Sequence, residues 1–488
     1  MNLPFLPYNL ARQPDHKHVR LLVAPDARTG EYWYENLKYW LAAPASLFWF
    51  SDWETLPYDQ YTPHPDLIAE RLRVLAELPT RERGVVVTSA AALSQRLCPQ
   101  THLDRYGIHL SVGDRLKRDD LIHRLEQAGY QHTAHHISGK GEYAARGSII
   151  DLYPMNAPDP IRLEWFDDDI DSIRTFAVDS QLTLEKHPHI SILPRSEIDL
   201  SDAGRVCYRQ NARLHYGEKI TNSPLYRQIS DGQTPQGLEY YLPLFYDETA
   251  TLFDYLPAHS RYIACDNLAD TLAQHAAWCE KRYQRTNPLR ENQLLPPAAL
   301  WLQPDEVLAK LARIPPHPYP EKATPIDIHG SAAEREKAWL ALAKHSNDIT
   351  IHYPTNGVRE QWQERLGAYP AITHTVSPNR HSFRDGDTIH LAEADLHTRA
   401  PTTDYRRPPG RDPASLIHNL HNLTPGTAVV HADYGVGRYQ GLTTLEEGGD
   451  ELIQIDYAKG AKLYVPATDI DLISRYGGAD PDNAPLHE

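Results

Sequence analysis

Cysteine is scarce in this chain of 488 residues. There are four, Cys98, Cys207, Cys265 and Cys279, far apart and without a C-x-x-C. That spacing excludes a disulfide scaffold and a thiolate zinc site, and it fits a reducing compartment, the cytoplasm. Long apolar runs are missing as well, and the mean hydropathy is −0.56, which excludes a transmembrane helix and any membrane role. The opening Met1-Asn-Leu-Pro-Phe-Leu-Pro-Tyr8 has no basic segment followed by an apolar one, so no signal peptide is read. Positive charge is in deficit: 49 Lys and Arg stand against 65 Asp and Glu, a net charge of −16. A chain this acidic does not bind nucleic acid over its whole surface, although a local basic patch stays open.

Catalytic signatures are absent too. A phosphate loop G-x-x-x-x-G-K-[ST] uses backbone amides and a lysine to hold phosphates. The nearest trace here, Ser138-Gly139-Lys140-Gly141, has neither the leading glycine nor the magnesium-binding hydroxyl. Asp247-Glu248 and Asp305-Glu306 do not close apolar strands, and neither G-x-S-x-G nor G-x-G-x-x-G occurs. The 26 histidines cluster at His132, His135, His136 and at His187, His189. Zinc needs three or four ligands converging at about 2 Å, and without H-E-x-x-H these read as solvated loop histidines. No catalytic residue, cofactor or metal is expected, so a binding or coupling role is the default.

What is present reads as several domains, roughly three by length. Val19–Ala24, Ser46–Phe50 and Gly84–Thr88 are apolar runs suited to buried parallel strands, alternating with helices over Tyr34–Leu41, Pro65–Leu78 and Ser89–Leu97. Residues 1–106 thus begin an α/β domain. Residues 107–194 form an inserted α+β module. Its helix at Arg118–Ala128 closes at Gly129, and strands follow at Ser148–Tyr153, Ile161–Phe166, Ser172–Val178 and Ile190–Leu193. Residues 195–320 read as mixed helix and loop, the second part of the α/β domain.

Residues 321–402 repeat an α/β pattern, with helices at Ala332–Lys344 and Val358–Leu366 and strands at Ile349–Tyr353 and Thr388–Ala392. Residues 403–423 are a linker and the short helix Ala414–Leu423. Residues 424–478 hold strands at Ala428–His431, Arg438–Thr444, Leu452–Tyr457 and Lys462–Val465, which suit an SH3- or Tudor-like barrel. Residues 479–488 are a tail.

Two surfaces carry information. Strand alternation puts Ile161, Leu163 and Trp165 on a core face and Arg162, Glu164 and Phe166 on the other, with Arg146 opening nearby. An aromatic beside arginines is the residue mix of an interface anchor. Equally, Phe166 could pack under a loop while the arginines pair with Asp167–Asp169. In Leu442-Thr443-Thr444-Leu445 a strand ends with apolar residues, either at an edge open to β-augmentation or filling the barrel; the pattern alone favours filling. Gly435-Val-Gly437 reads as a turn between strands rather than an anion site.

Asp52-Trp-Glu-Thr-Leu-Pro-Tyr-Asp59, Thr62-Pro63-His64 and Glu70-Arg71-Leu72 resemble the first domain of the bacterial transcription-repair coupling factors. Gly141-Glu-Tyr-Ala-Ala-Arg-Gly147, Phe166-Asp-Asp-Asp-Ile-Asp171 and Val178-Asp-Ser-Gln181 resemble the module those factors share with the excision protein UvrB. Gly237-Leu-Glu-Tyr240, Pro243-Leu-Phe245 and Leu295–Trp301 continue the likeness. Val429-Val-His431, Tyr434–Tyr439 and Lys462–Pro466 are similar to the CarD-like domain that meets RNA polymerase.

The resemblance implies UvrB-like domains, an inserted module that binds UvrA through Arg146, Arg162 and Phe166, and a CarD-like barrel. The barrel would pair by its edge with the RNA polymerase β subunit through Leu442, Thr443, Thr444 and Leu445. It further implies that ATP, magnesium and double-stranded DNA belong mainly to a translocase motor. In the family the phrase Ala484-Pro-Leu-His-Glu488 leads into that motor, so the motor and an inhibitory C-terminal domain are expected outside this chain, leaving the UvrA face open.

Two departures stand out. The family's Asp-Ser-Gln is followed by Arg where Leu182 stands here, and the start lies too close to Val19 for the family's whole first helix and strand. Two further readings remain: a degenerate helicase-like nucleotide-binding protein, and a CarD-like transcription regulator without a repair role.

Overall fold

The computed structural model describes residues 5–396 apart from 14–16, 42–45, 60–61, 135–136, 138, 179, 288–292, 319–322, 346–347 and 367–371. Beyond these it describes 426, 428–431, 435–443, 452–466 and 473–475. The chain divides into two compact units, Met1–Ala400 and Pro401–Glu488.

The first unit begins with four parallel strands in the order Arg261–Ala264, Val19–Ala24, Gly84–Ser89, Leu47–Phe50. Apolar residues dominate these strands because both faces are covered. Leu21, Val23, Phe48, Phe50 and Val86 enter one core; Leu22, Leu47, Trp49, Val85 and Val87 enter the other. Gly30 in the helix Ala27–Trp40 allows that second core to close, since a Cβ there would lie 2.6 Å from the Trp49 ring. The expected helix over Ser89–Leu97 is shorter, Ala90–Ser94, and a short strand, Arg96–Leu97, follows it to pair with Ala250–Thr251.

The helix Pro65–Glu77 starts at a proline, with the His64 ring accepting from the Asp66 amide at 3.2 Å. It carries a fully buried guanidinium. Arg71 donates to both Glu197 oxygens (2.5 and 3.1 Å), to Gln95 at 2.8 Å and to the Ser51 carbonyl, and it lies 4.5 Å over the Phe50 ring. A buried charge is tolerated only when paired and hydrogen-bonded. Arg71 therefore ties the chain before the inserted module to Glu197, which follows it.

Between these points six strands form one sheet, in the order Thr183–Lys186, Asp169–Phe176, Ile161–Phe166, Ile149–Leu152, Glu142–Arg146, Gln131–His132. The helix Arg118–Gln127 ends at Gly129, whose φ of +86° is the left-handed closure that glycine favours. The strand expected at Ile190–Leu193 forms as His189–Ile192 but lies outside this sheet. It pairs with Ile108–Ser111 in a ribbon of two strands at the module's base.

The stretch 195–320 supplies the helices Asp202–Tyr216 and Leu268–Thr286 and returns the strand Arg261–Ala264 to the first sheet. A second mixed sheet has the order Thr324–Pro325, Phe383–Asp385, Thr388–Ala392, Ile349–Tyr353, Ile372–Val376. Its helices are Ala332–His345 and Asn356–Leu366. The Ile372–Val376 and Phe383–Asp385 strands have no counterpart in the sequence-based expectation, because neither is an apolar run.

In the second unit five antiparallel strands follow the order Lys462–Pro466, Leu452–Asp456, Gly435–Thr443, Ala428–His431, Ile473–Arg475. Among the described residues no pairing joins the two end strands, so the sheet is open where a closed barrel was expected. Gly435 and Gly437 open a strand and are not the turn that the sequence suggested. A Cβ on Gly437 would stand 2.4 Å from Ile455, so the strands approach closely only because glycine is there. The expected linker and the helix Ala414–Leu423 lie outside the described residues.

Replacing Arg71 with Met leaves Glu197 buried without a partner. The expected cost is about 3–5 kcal/mol, read as a lower denaturant midpoint in tryptophan fluorescence.

Candidate interaction site

The exposed face of the module sheet is built around one carboxylate. Asp151 stands between Ile150 and Leu152 in a strand whose alternate residues face the core, so it projects onto the opposite face. It is 1 % exposed. Arg162 is its direct neighbour on the adjacent strand and binds it with both prongs: Nε donates to Oδ1 at 2.6 Å and Nη2 to Oδ2 at 2.9 Å. Arg162 Nη2 also donates to Gln181 Oε1 at 3.1 Å, and the guanidinium lies 4.6 Å over the Phe176 ring. Donating these hydrogen bonds to the Asp151 carboxylate holds the guanidinium pKa above its ordinary value. Arg146 donates to Asp151 Oδ2 at 2.7 Å from the next strand.

Phe166 ends the Ile161–Phe166 strand. Burial alternates along that strand: Ile161, Leu163 and Trp165 are buried, whereas Phe166 is 72 % exposed. The turn after it is braced. Asp167 has a φ of +53°, the Leu116 amide donates to the Asp168 carbonyl at 2.8 Å, and Trp165 Nε1 donates to the Leu116 carbonyl at 2.7 Å. Arg118 donates to the Gly147 carbonyl in the neighbouring turn, which follows Arg146. Strand register puts both turns at one end of the sheet.

The structure thus brings Arg146, Arg162 and Phe166 onto one face. The alternative pairing with Asp167–Asp169 does not occur: both arginines take Asp151, and Phe166 lies open to solvent. Asp151 itself is absent from the sequence-based site, although a lone carboxylate within Ile149-Ile-Asp-Leu152 is the signal that marks it. Leu182, which replaces the expected arginine, is 69 % exposed and follows Gln181, whose side chain holds Arg162.

The second candidate is less complete. Leu442 and Thr443 pair with Ile453 and Leu452 in the sheet interior. On the opposite side, pairing with Ala428–His431 stops at Arg438, and the Gly426 amide donates to the Tyr439 carbonyl at 2.7 Å. Among the described residues, no strand lies on that side beyond Tyr439. Thr444 and Leu445 fall outside the described residues.

A nucleotide site would draw on the loop between Val19–Ala24 and the following helix. There Asp26 caps the helix, its carboxylate accepting from the Thr29 amide at 2.7 Å. An anionic cap works against a phosphate at that N-terminus. Among the described residues no cluster of three or more His, Cys, Asp or Glu could hold a metal, and no helix is long and apolar enough to cross a membrane.

Comparison with known proteins bears on both faces. Residues 108–198 match the family model of the UvrB interaction domain, which contains Arg146, Arg162 and Phe166. Residues 423–477 match the CarD-like/TRCF RID domain, which contains Leu442–Leu445. The transcription-repair-coupling factor of Escherichia coli (strain K12) is 35 % identical over 97 % of this chain. That of Haemophilus influenzae is 34 % identical over 97 %, and that of Bacillus subtilis (strain 168) 26 % identical over 87 %. The chain is similar to the N-terminal part of the transcription-repair-coupling factors. It spans 44 % of the length of the first two relatives and 40 % of the third.

Exposure separates Phe166 from Arg162 by what their removal does. Phe166→Ala is expected to leave thermal stability within about 0.5 kcal/mol, as for an exposed side chain. Arg162→Ala leaves Asp151 short of its main partner and is expected to cost about 2–5 kcal/mol. Thermal melts of the two variants check both.

Proposed function

We propose that this chain is an adaptor in transcription-coupled nucleotide-excision repair, linking RNA polymerase halted at DNA damage to recruitment of UvrA in the cytoplasm. The module takes UvrA on the face of Arg146, Arg162 and Phe166. The C-terminal sheet pairs with the polymerase β subunit along Leu442–Leu445, with backbone hydrogen bonds supplying the join and Leu445 an apolar anchor. ATP-driven translocation and duplex-DNA contact are assigned to the part of the relatives with which this chain does not align. Catalysis is not assigned to the residues present here.

One observation carries the UvrA assignment: a phenylalanine 72 % exposed at the same end of the sheet as a half-exposed arginine, on a strand whose other aromatic, Trp165, is buried and hydrogen-bonded. A large exposed aromatic next to arginine is the composition of a binding hot spot. The match to the UvrB interaction domain and the likeness to transcription-repair-coupling factors support its biological setting.

The test is a pair of pull-downs, with UvrA and with RNA polymerase, on the wild type, Phe166→Ala and Leu445→Arg. Phe166→Ala is expected to lose UvrA by about tenfold or more while keeping polymerase, and Leu445→Arg the reverse. A wild-type chain that binds neither partner would contradict the proposal.

A further inference from the structure

The two arginines of the module face are not equivalent. Arg162 is spent inside the protein. Its Nε and Nη2 are occupied by Asp151, Nη2 is shared with Gln181, the Phe176 ring lies beneath it, and 18 % of its side chain is exposed. Gln181 is itself fixed: its φ is +59° and its Nε2 donates to the Val178 carbonyl at 2.8 Å. Among the described residues Arg146 makes one side-chain bond, from Nη2 to Asp151, and 48 % of its side chain is exposed.

The hydrogen bonds give the same division: Arg146 reaches only the Asp151 oxygen that Arg162 also takes. Glu164, the next carboxylate on the face, is taken by Arg174 and by Ser172 Oγ at 2.9 Å. The half-exposed guanidinium of Arg146 is presented at the same end of the sheet as the exposed Phe166 ring.

We propose that Asp151 is the positioning residue of this face, and that Arg146 alone offers its guanidinium to a carboxylate of the partner while Arg162 acts from behind. This rests on the UvrA-docking assignment above. The partner surface it specifies is an acidic side chain beside an apolar pocket that takes Phe166. A guanidinium with free N–H groups grips a carboxylate well. An ion pair near the rim of an interface is screened by salt, whereas the buried Arg162–Asp151 pair is screened far less.

The experiment measures UvrA affinity from low to high salt for the wild type, Arg146→Gln, Arg162→Gln, Arg162→Lys and Asp151→Asn. Arg146→Gln is expected to weaken binding at low salt and to flatten its salt dependence. Arg162→Gln and Asp151→Asn are expected to weaken binding about tenfold with the wild-type salt slope kept. Arg162→Lys, which keeps a cation on Asp151, recovers part of that loss. The proposal is overturned if Arg162→Gln flattens the salt dependence as fully as Arg146→Gln, or if Asp151→Asn binds like the wild type.

A second readout needs no partner and no Asp151 variant that fails to fold. In nitrogen-15 spectra of arginine side chains, the Arg162 Nε–H is expected to be slow to exchange in the wild type and to stay so in Arg146→Gln. Rapid exchange in the wild type would overturn the positioning role. Slow exchange in a wild type that does not bind UvrA would instead overturn the docking assignment, and the partner carboxylate with it.

Discussion

Arg71 is the constraint on which the first unit depends. A guanidinium with no solvent access must have its charge answered and its N–H groups filled, and here the answers come from distant parts of the chain. Ser51 follows a strand of the first sheet, Gln95 lies past the third, and Glu197 comes after the whole inserted module. Pairing Arg71 with Glu197 closes the chain around the module's two ends. The module can then present its sheet outward from a fixed base without adding a strand to the parallel sheet below.

Asp151 repeats this physics at the surface with a different result. It is as buried as Arg71, but its partners lie toward solvent. The buried carboxylate orders two long, flexible side chains that would otherwise lose conformational freedom on meeting a partner. The face thereby keeps a firmly held guanidinium at the same end of the sheet as an exposed aromatic.

Much of this was legible in the amino-acid order, and the exceptions share a cause. Val19–Ala24, Ile161–Phe166 and Ile349–Tyr353 follow from apolar runs or strict alternation, and they form where expected. The face bearing Arg162 and Phe166 follows from the same alternation. Pairing was harder to read. His189–Ile192 looks like one more strand of the module sheet, yet its partner Ile108–Ser111 stands about 80 residues earlier, and local pattern is silent on partners that remote. Gly435 and Gly437 carry turn chemistry, but the close approach of Ile455 makes glycine a requirement of the strand instead. Asp151 escaped notice because a single carboxylate in an apolar strand reads as a break in the pattern, and its meaning emerges only when two arginines from neighbouring strands converge on it.

The two faces lie in separate compact units, so under the proposed function one chain holds both partners at one time. Mass photometry of the chain mixed with UvrA and RNA polymerase tests this directly. The expected result is a species with the combined mass of all three components, lost to the polymerase-bound species when Phe166 is replaced by Ala. Two binary complexes that never combine, one displacing the other as concentrations rise, would contradict it.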